Sequence, residues 1–68
     1  MNINTDTVGN VFFNNRKVAN VRQTRDGTSV IDVAGDKVSM PKTRYTLSNP
    51  AGANEFYSDL WVALNLDI

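Results

Sequence analysis

Glu55-Phe56-Tyr57-Ser58-Asp59-Leu60-Trp61-Val62-Ala63-Leu64-Asn65-Leu66-Asp67-Ile68 is the stretch whose reading decides the fold. Its even positions are Phe56, Ser58, Leu60, Val62, Leu64, Leu66 and Ile68, and all but Ser58 are apolar. Its odd positions are mostly polar, with Tyr57 and Trp61 among them. Such alternation predicts a strand with one buried face. A helix is the competing reading: Pro50 sits where a helix starts, and Phe56, Leu60 and Leu64 recur every four residues. The helix leaves Val62, Leu66 and Ile68 scattered round its surface, so the strand is preferred.

Sixty-eight residues make one domain, 1–68. A chain this short hides only about 60% of its unfolded surface, so a lone monomer is marginal. With no cysteine there are no disulfides, and with no histidine and no clustered ligand spacing a structural zinc is not expected. Self-association, as a dimer or higher homo-oligomer, is the remaining common remedy. No apolar run approaches the roughly twenty residues of a membrane span, and the N-terminus is too polar for a secretory signal. No membrane partner is expected.

The net charge is zero, yet the charges are segregated. All seven basic residues (Arg16, Lys17, Arg22, Arg25, Lys37, Lys42 and Arg44) lie in 16–44, which nets +4 against Asp26, Asp32 and Asp36. The first fifteen residues net −1 and the tail from Tyr45 nets −3. A cationic middle attracts phosphate. A solvated sheet face with charges guarding its edges explains it as well.

Working back from the terminal stretch, 43–48 alternates, with Tyr45 and Leu47 on one side and Arg44, Thr46 and Ser48 on the other. Val38 and Met40 mark a short strand that Pro41 ends. Ala34-Gly35-Asp36 and Asp26-Gly27 are turns flanking β-branched residues in 29–33. In 17–25, Ala19 and Val21 face inward, Asn20 and Arg22 outward, and Val18 breaks the alternation at a bulge. Asn14-Asn15 suits a tight hairpin turn after Val11, Phe12 and Phe13. Met1 to Thr7 reads as an arm or a short strand around Ile3. The sum is a mainly β chain: an antiparallel meander of five to six strands, curled or closed into a small barrel, or covered by a partner chain.

Catalysis has little to work with. There is no histidine or cysteine for near-neutral base or nucleophile chemistry. Glu55 and Asp59, on one strand face, would stand about 13 Å apart, too far for a carboxylate dyad. The four glycines are isolated, so no phosphate-cradling loop is formed. No catalytic, cofactor or metal residue is assigned, and no enzyme is expected. If 43–48 pairs beside the terminal strand, Arg44, Thr46, Ser48, Tyr57 and Trp61 share one face. Cation, hydroxyl and aromatic groups together stack unpaired RNA bases and contact phosphates. The plainer reading has Trp61 packing under the N-terminal arm or a dimer partner.

From Arg22 the sequence runs Arg-Gln-Thr-Arg-Asp-Gly-Thr-Ser-Val-Ile-Asp-Val, then Pro-Lys-Thr-Arg-Tyr-Thr-Leu-Ser-Asn-Pro, then Tyr-Ser-Asp-Leu-Trp-Val-Ala-Leu-Asn-Leu-Asp-Ile. This order of strands and turns resembles the coat proteins of single-stranded RNA bacteriophages, the levivirus type, across 11–68. Members of that family are longer and continue into further strands and two C-terminal helices. The resemblance implies a meandering sheet, chains joined edge to edge into a shell, and RNA against one sheet face at Arg44, Thr46, Ser48, Tyr57 and Trp61. It places the chain in a bacterial cytoplasm or a virion. Two other readings fit the residues: a small β-barrel interaction module that binds a host protein, and a small nucleic-acid-binding β-domain.

Overall fold

The computed structural model describes residues 3–65. Four strands run in sequence order, β1 (Ile3–Thr5), β2 (Asn10–Phe13), β3 (Arg16–Thr24) and β4 (Gly27–Asp32), as an antiparallel sheet. A single helix, α1 (Pro50–Ala63), follows. The meander is as expected, but it is an open sheet of four strands, not five or six, and not a closed barrel.

Local chemistry sets the sheet. Asn14 and Asn15 take φ of 51° and 67°, the left-handed pair that a two-residue hairpin needs and that asparagine tolerates. The turn fixes Phe13 opposite Arg16 and Phe12 opposite Lys17. The register then shifts: Val11 faces Ala19, and Val18 is the extra residue of a bulge. The bulge lets Val18 and Ala19 both be buried while Lys17 and Asn20 point outward. At the β3–β4 hairpin Thr24 faces Gly27, so the turn centres on Arg25-Asp26, one residue before the expected Asp-Gly pair. The Thr24 hydroxyl holds it, accepting from Asp26 N–H at 3.2 Å and donating to the Gly27 carbonyl at 2.9 Å. The 34–36 turn forms as expected, with one Asp32 carboxylate oxygen accepting from Ala34 N–H and Asp36 N–H.

The last part of the chain departs from the strand reading. Neither Val38-Met40 nor 43–48 forms a named strand. Together they make a strap along β4, fixed by Asp32 N–H to the Asp36 carbonyl, Val38 N–H to the Val30 carbonyl and Thr28 N–H to the Thr43 carbonyl, all within 2.8–2.9 Å. Gly27 permits the approach: a β-carbon there would stand 2.4 Å from the Thr43 carbonyl oxygen.

Helix α1 (Pro50–Ala63) takes in 55–63, with a turn at 64–65, and this corrects the preferred strand. Asn49 caps the helix, its side chain accepting from Gly52 N–H at 2.7 Å, and Pro50 occupies the first turn. Gly52 lets that first turn press on the strap, since a β-carbon there would sit 1.9 Å from the Thr46 carbonyl oxygen. Asn65 ends the helix with a left-handed φ of 55°. The physical reason is cover. The sheet's inner face presents Val11, Phe13, Ala19, Val21 and Val30, and the helix covers it together with Val38 and Tyr45 of the strap. Phe56 and Leu60, one helical turn apart, are fully buried, and Leu64 packs at the margin of the same cluster. The helix leaves Val62 74% exposed. Leu66 and Ile68, two inward positions of the strand reading, lie outside the described residues.

Candidate functional site

Among the described residues, this packing leaves two features of the sheet uncovered: one of its faces and one of its edges. Pair register assigns the face. Residues opposite one another in an antiparallel sheet point to the same side. Thr5, Val11 and Ala19 are one such row, and Val21 and Val30 another, all toward the helix. The opposite side carries Asn4, Phe12 and Lys17 in one row, then Asn10, Asn20, Ile31 and Lys37, then Arg22 and Ser29. Asn20 donates through its amide to Asn10 Oδ1 at 3.3 Å, which confirms the shared side. Phe12 is half-buried and Ile31 is 42% exposed. Lys17, Arg22 and Lys37 are exposed.

Lys17, Arg22 and Lys37 are the cations of those rows, and the Asp6 carboxylate stands at the end of one of them, opposite Asn10. The nearest carboxylates sit in turns at the margin. Asp6 accepts from Asn10 N–H, Val8 N–H and the Asn10 amide. Desolvation works to raise its pKa, but those hydrogen bonds from Asn10 and the N–H groups of Val8 and Gly9 together hold it below the usual carboxylate value. Asp32 is engaged in its own turn, and Asp36 is exposed in that turn beside Lys37. The acidic residues of the helix lie on the far side. Glu55 pairs with Lys42 at 2.8 Å, and Asp59 accepts from the Tyr45 hydroxyl at 2.6 Å.

The sheet's two edges differ. β4 is covered by the strap along its length. Among the described residues no strand pairs with the outer side of β1. Asp6 N–H donates to the Asn10 carbonyl at 2.9 Å, so 6 and 10 are a hydrogen-bonded pair. Such pairs alternate, so Asn4 bonds Phe12 while Ile3 and Thr5 turn their backbone groups outward.

The five residues expected to share a face are not brought together. Tyr57 and Trp61 lie on the helix, turned toward the sheet. The Tyr57 hydroxyl donates to Thr5 Oγ1 at 2.9 Å, and Trp61 packs edge-on against Phe13 with ring centres 4.8 Å apart. Trp61 thus packs within the chain against β2, where the plainer reading had it under the N-terminal arm or a dimer partner. Arg44 is on the strap, its guanidinium donating to the Arg25 carbonyl at 2.8 Å. Thr46 and Ser48 are exposed on the strap as it enters the helix.

Tyr45 joins strap, sheet and helix. Its ring is 2% exposed and meets Phe56 edge-on at 5.4 Å. Its N–H donates to Thr28 Oγ1 and its carbonyl accepts from the Gln23 amide, at 2.9 and 2.8 Å. Burial, with the Asp59 carboxylate accepting from its hydroxyl, pushes the phenol up to about 12.

No protein-family model, curated protein or solved structure matches the chain. The surfaces therefore have to be read from their own chemistry. Among the described residues no group of three or more acidic, histidine or cysteine side chains stands close enough to hold a metal ion, and no helix is long and apolar enough to cross a membrane. The open face with Phe12, Lys17, Arg22 and Lys37 was not singled out in the sequence. The signal was present: Asn14-Asn15 fixes the hairpin register, and alternation about the Val18 bulge then assigns each residue to a side.

Proposed function

We propose that the chain is a non-enzymatic, phage-type structural protein that self-associates through the β1 edge and lays one sheet face against RNA, in a bacterial host cell or a virion. The observation that carries this reading is the difference between the two edges. One is covered by the chain itself, and the other, three residues long, carries no proline, lysine or bulge. Two copies meeting there antiparallel pair Ile3 with Thr5 of the other copy through backbone hydrogen bonds. Asn4 then stands opposite its own counterpart across a two-fold axis, on the open face. The sheet becomes eight strands wide, with both helices on one side and both cationic faces on the other.

Size-exclusion chromatography with light scattering, read at 260 and 280 nm on protein as expressed, tests this. The expected result is a dimer or larger assembly at micromolar concentration that carries nucleic acid. A clean 7.5 kDa monomer overturns it. Substitution at the two-fold sharpens the test. Asn4→Lys and Asn4→Glu each weaken association, because like charges meet, and an equimolar mixture restores it.

A second reading, an interaction module for a host protein, is favoured by one patch. Ser39, Met40, Pro41, Asp59, Val62 and Ala63 line a shallow, mostly apolar hollow beside the helix's last turn, with Val62 largely exposed. Retention of host-protein capture by Val62→Asp would remove that reading.

A further inference from the structure

We propose that β3 takes a short extended peptide as an added strand, in a notch beside Arg22–Thr24, and that the peptide carries an aliphatic side chain followed by a carboxylate. The notch is separate from the β1 edge, and the proposal stands without self-association or RNA.

The notch exists because β3 outruns its neighbour. β3 covers Arg16–Thr24, and β2 only Asn10–Phe13. The last bond on that side of β3 runs from Val21 N–H to the Gly9 carbonyl at 2.8 Å. The chain before Gly9 folds away toward β1, with Gly9 N–H donating to the Asp6 carbonyl at 3.3 Å. Beside the end of β3 this leaves a hollow of about 470 Å³, bounded by the 5–9 segment, Val21–Gln23, Leu47 and Tyr57.

The parity of the ladder gives the notch its chemistry. Thr28 N–H, the Val30 carbonyl and Asp32 N–H all bond to the strap. The even residues of β4 therefore turn their backbone groups to the strap and the odd ones to β3. Ser29 and Gly27 take Arg22 and Thr24. Val21 and Gln23 point the other way, as the bond from Val21 to Gly9 shows. Among the described residues the backbone N–H and carbonyl of Gln23 have no partner. A donor and an acceptor on one exposed residue, in line with β2, are half of a hydrogen-bonded antiparallel pair. An extended peptide supplies the other half.

Side chains choose the peptide. The residue opposite Gln23 turns to the helix side, the side of the buried Val21. There it meets Leu47 and Tyr57, which are partly buried against the core and suit an aliphatic group. The Gln23 amide is already held, donating to the Tyr45 carbonyl and accepting from the Thr28 hydroxyl, so the floor is set before a peptide arrives. The next peptide residue, opposite Arg22, turns to the open face. Arg22 is exposed and makes no ion pair among the described residues, so a carboxylate there is complementary. Asp6 is the opposing charge at the rim. Its carboxylate accepts from Val8 N–H, Asn10 N–H and the Asn10 amide, in the row of Asn20, roughly 7 Å along the sheet from that of Arg22.

The test is an NMR titration of the whole nitrogen-labelled chain with acetyl-Ser-Thr-Leu-Asp-amide up to about 5 mM, since one hydrogen-bonded pair and one side chain give affinity on the order of 1 mM. Shift changes are expected at Gly9, Arg22, Gln23, Leu47 and Tyr57, with slower exchange of Gln23 N–H. Methylating the peptide's Leu nitrogen removes the donor to the Gln23 carbonyl and weakens binding about fivefold. Alanine in place of that Leu also costs about fivefold. Arg22→Glu weakens the peptide about threefold and favours acetyl-Ser-Thr-Leu-Lys-amide by a similar factor. No shift change at the highest concentration, changes centred on Ile3 and Asn4, equal affinity of the methylated peptide, or an unchanged charge preference in Arg22→Glu would each overturn the proposal. Protection of Gln23 N–H without peptide, rising with protein concentration, would put a second copy in the notch and overturn it too.

Discussion

The two faces of the sheet come from the same four strands and are built oppositely. The inner face is apolar and packed: Val11, Ala19 and Val30 are at or below 1% exposed, and Phe56 and Leu60 press on them from the helix. The outer face is mostly amide, hydroxyl and cation, with Phe12, Ile31 and the Asp6 carboxylate among them. The contrast shows where each requirement is met. Stability is concentrated where the helix lands, and the opposite side is left to solubility and contact. In a chain of this size the core is small, ten buried apolar side chains among the described residues, so the inner face has little reserve.

The first way to break the comparison is Phe56→Ala. A fully buried phenylalanine truncated to alanine costs about 3–5 kcal/mol, enough to unfold most of a small domain. The gentler Phe56→Leu is expected to lower the urea midpoint while keeping a cooperative transition. An equal midpoint in wild type and Phe56→Leu would contradict the placement of the helix. Val62→Ala, on the same helix but facing solvent, stays within about 0.5 kcal/mol.

Tyr45→Phe comes next. It deletes the hydroxyl between strap and helix and leaves Asp59 without that donor, at a cost of about 1–3 kcal/mol by urea denaturation. The pH dependence has a definite sign. The Tyr45 phenol is pushed up to about 12 from its usual 10, so the folded state holds the proton more tightly than the unfolded state. The resulting stability is complete below pH 10 and is lost as pH rises toward about 12. Tyr45→Phe is expected to flatten that alkaline decline in melts recorded from pH 9 to 12. An unchanged decline would place its origin elsewhere.

Asn49→Ala removes the helix cap and costs about 1 kcal/mol. Thermal melts would show it, with the near-ultraviolet signal of the packed aromatics retained at low temperature. The smallest effects belong to the outer face. Lys17→Gln and Arg22→Gln leave stability within about 0.5 kcal/mol, and a larger loss would mean that this side is packed against something.

The part of the fold legible in the sequence is the part decided by neighbours in the chain. Asn14-Asn15 makes its turn because asparagine accepts left-handed backbone there. The inward positions Ala19 and Val21 and the bulge at Val18 follow from alternation and its one interruption. The terminal segment could not be settled so locally. Phe56, Leu60 and Leu64 satisfy a period of two as well as a period of four. What separates the readings is a tertiary demand, the uncovered inner face, together with the Asn49 side chain at the helix start. The strand reading also set the original candidate site. Once 55–63 is helical, Tyr57 and Trp61 are drawn to Thr5 and Phe13, and the aromatic that faces outward from the sheet is Phe12. The strap is not legible in the sequence because its contacts, such as Thr28 N–H to the Thr43 carbonyl, join residues whose nearness no short-range pattern reveals.

The most direct test of the central claim, that a helix over Pro50–Ala63 covers one sheet face and leaves the other open, is solution NMR of the labelled chain. Helical Cα shifts through that segment, with cross-relaxation between the Trp61 indole and the Phe13 ring and none from helix side chains to Phe12, are the result expected. Extended shifts alternating through 55–65, or contacts that tie the helix to Phe12 and Lys17, would contradict it.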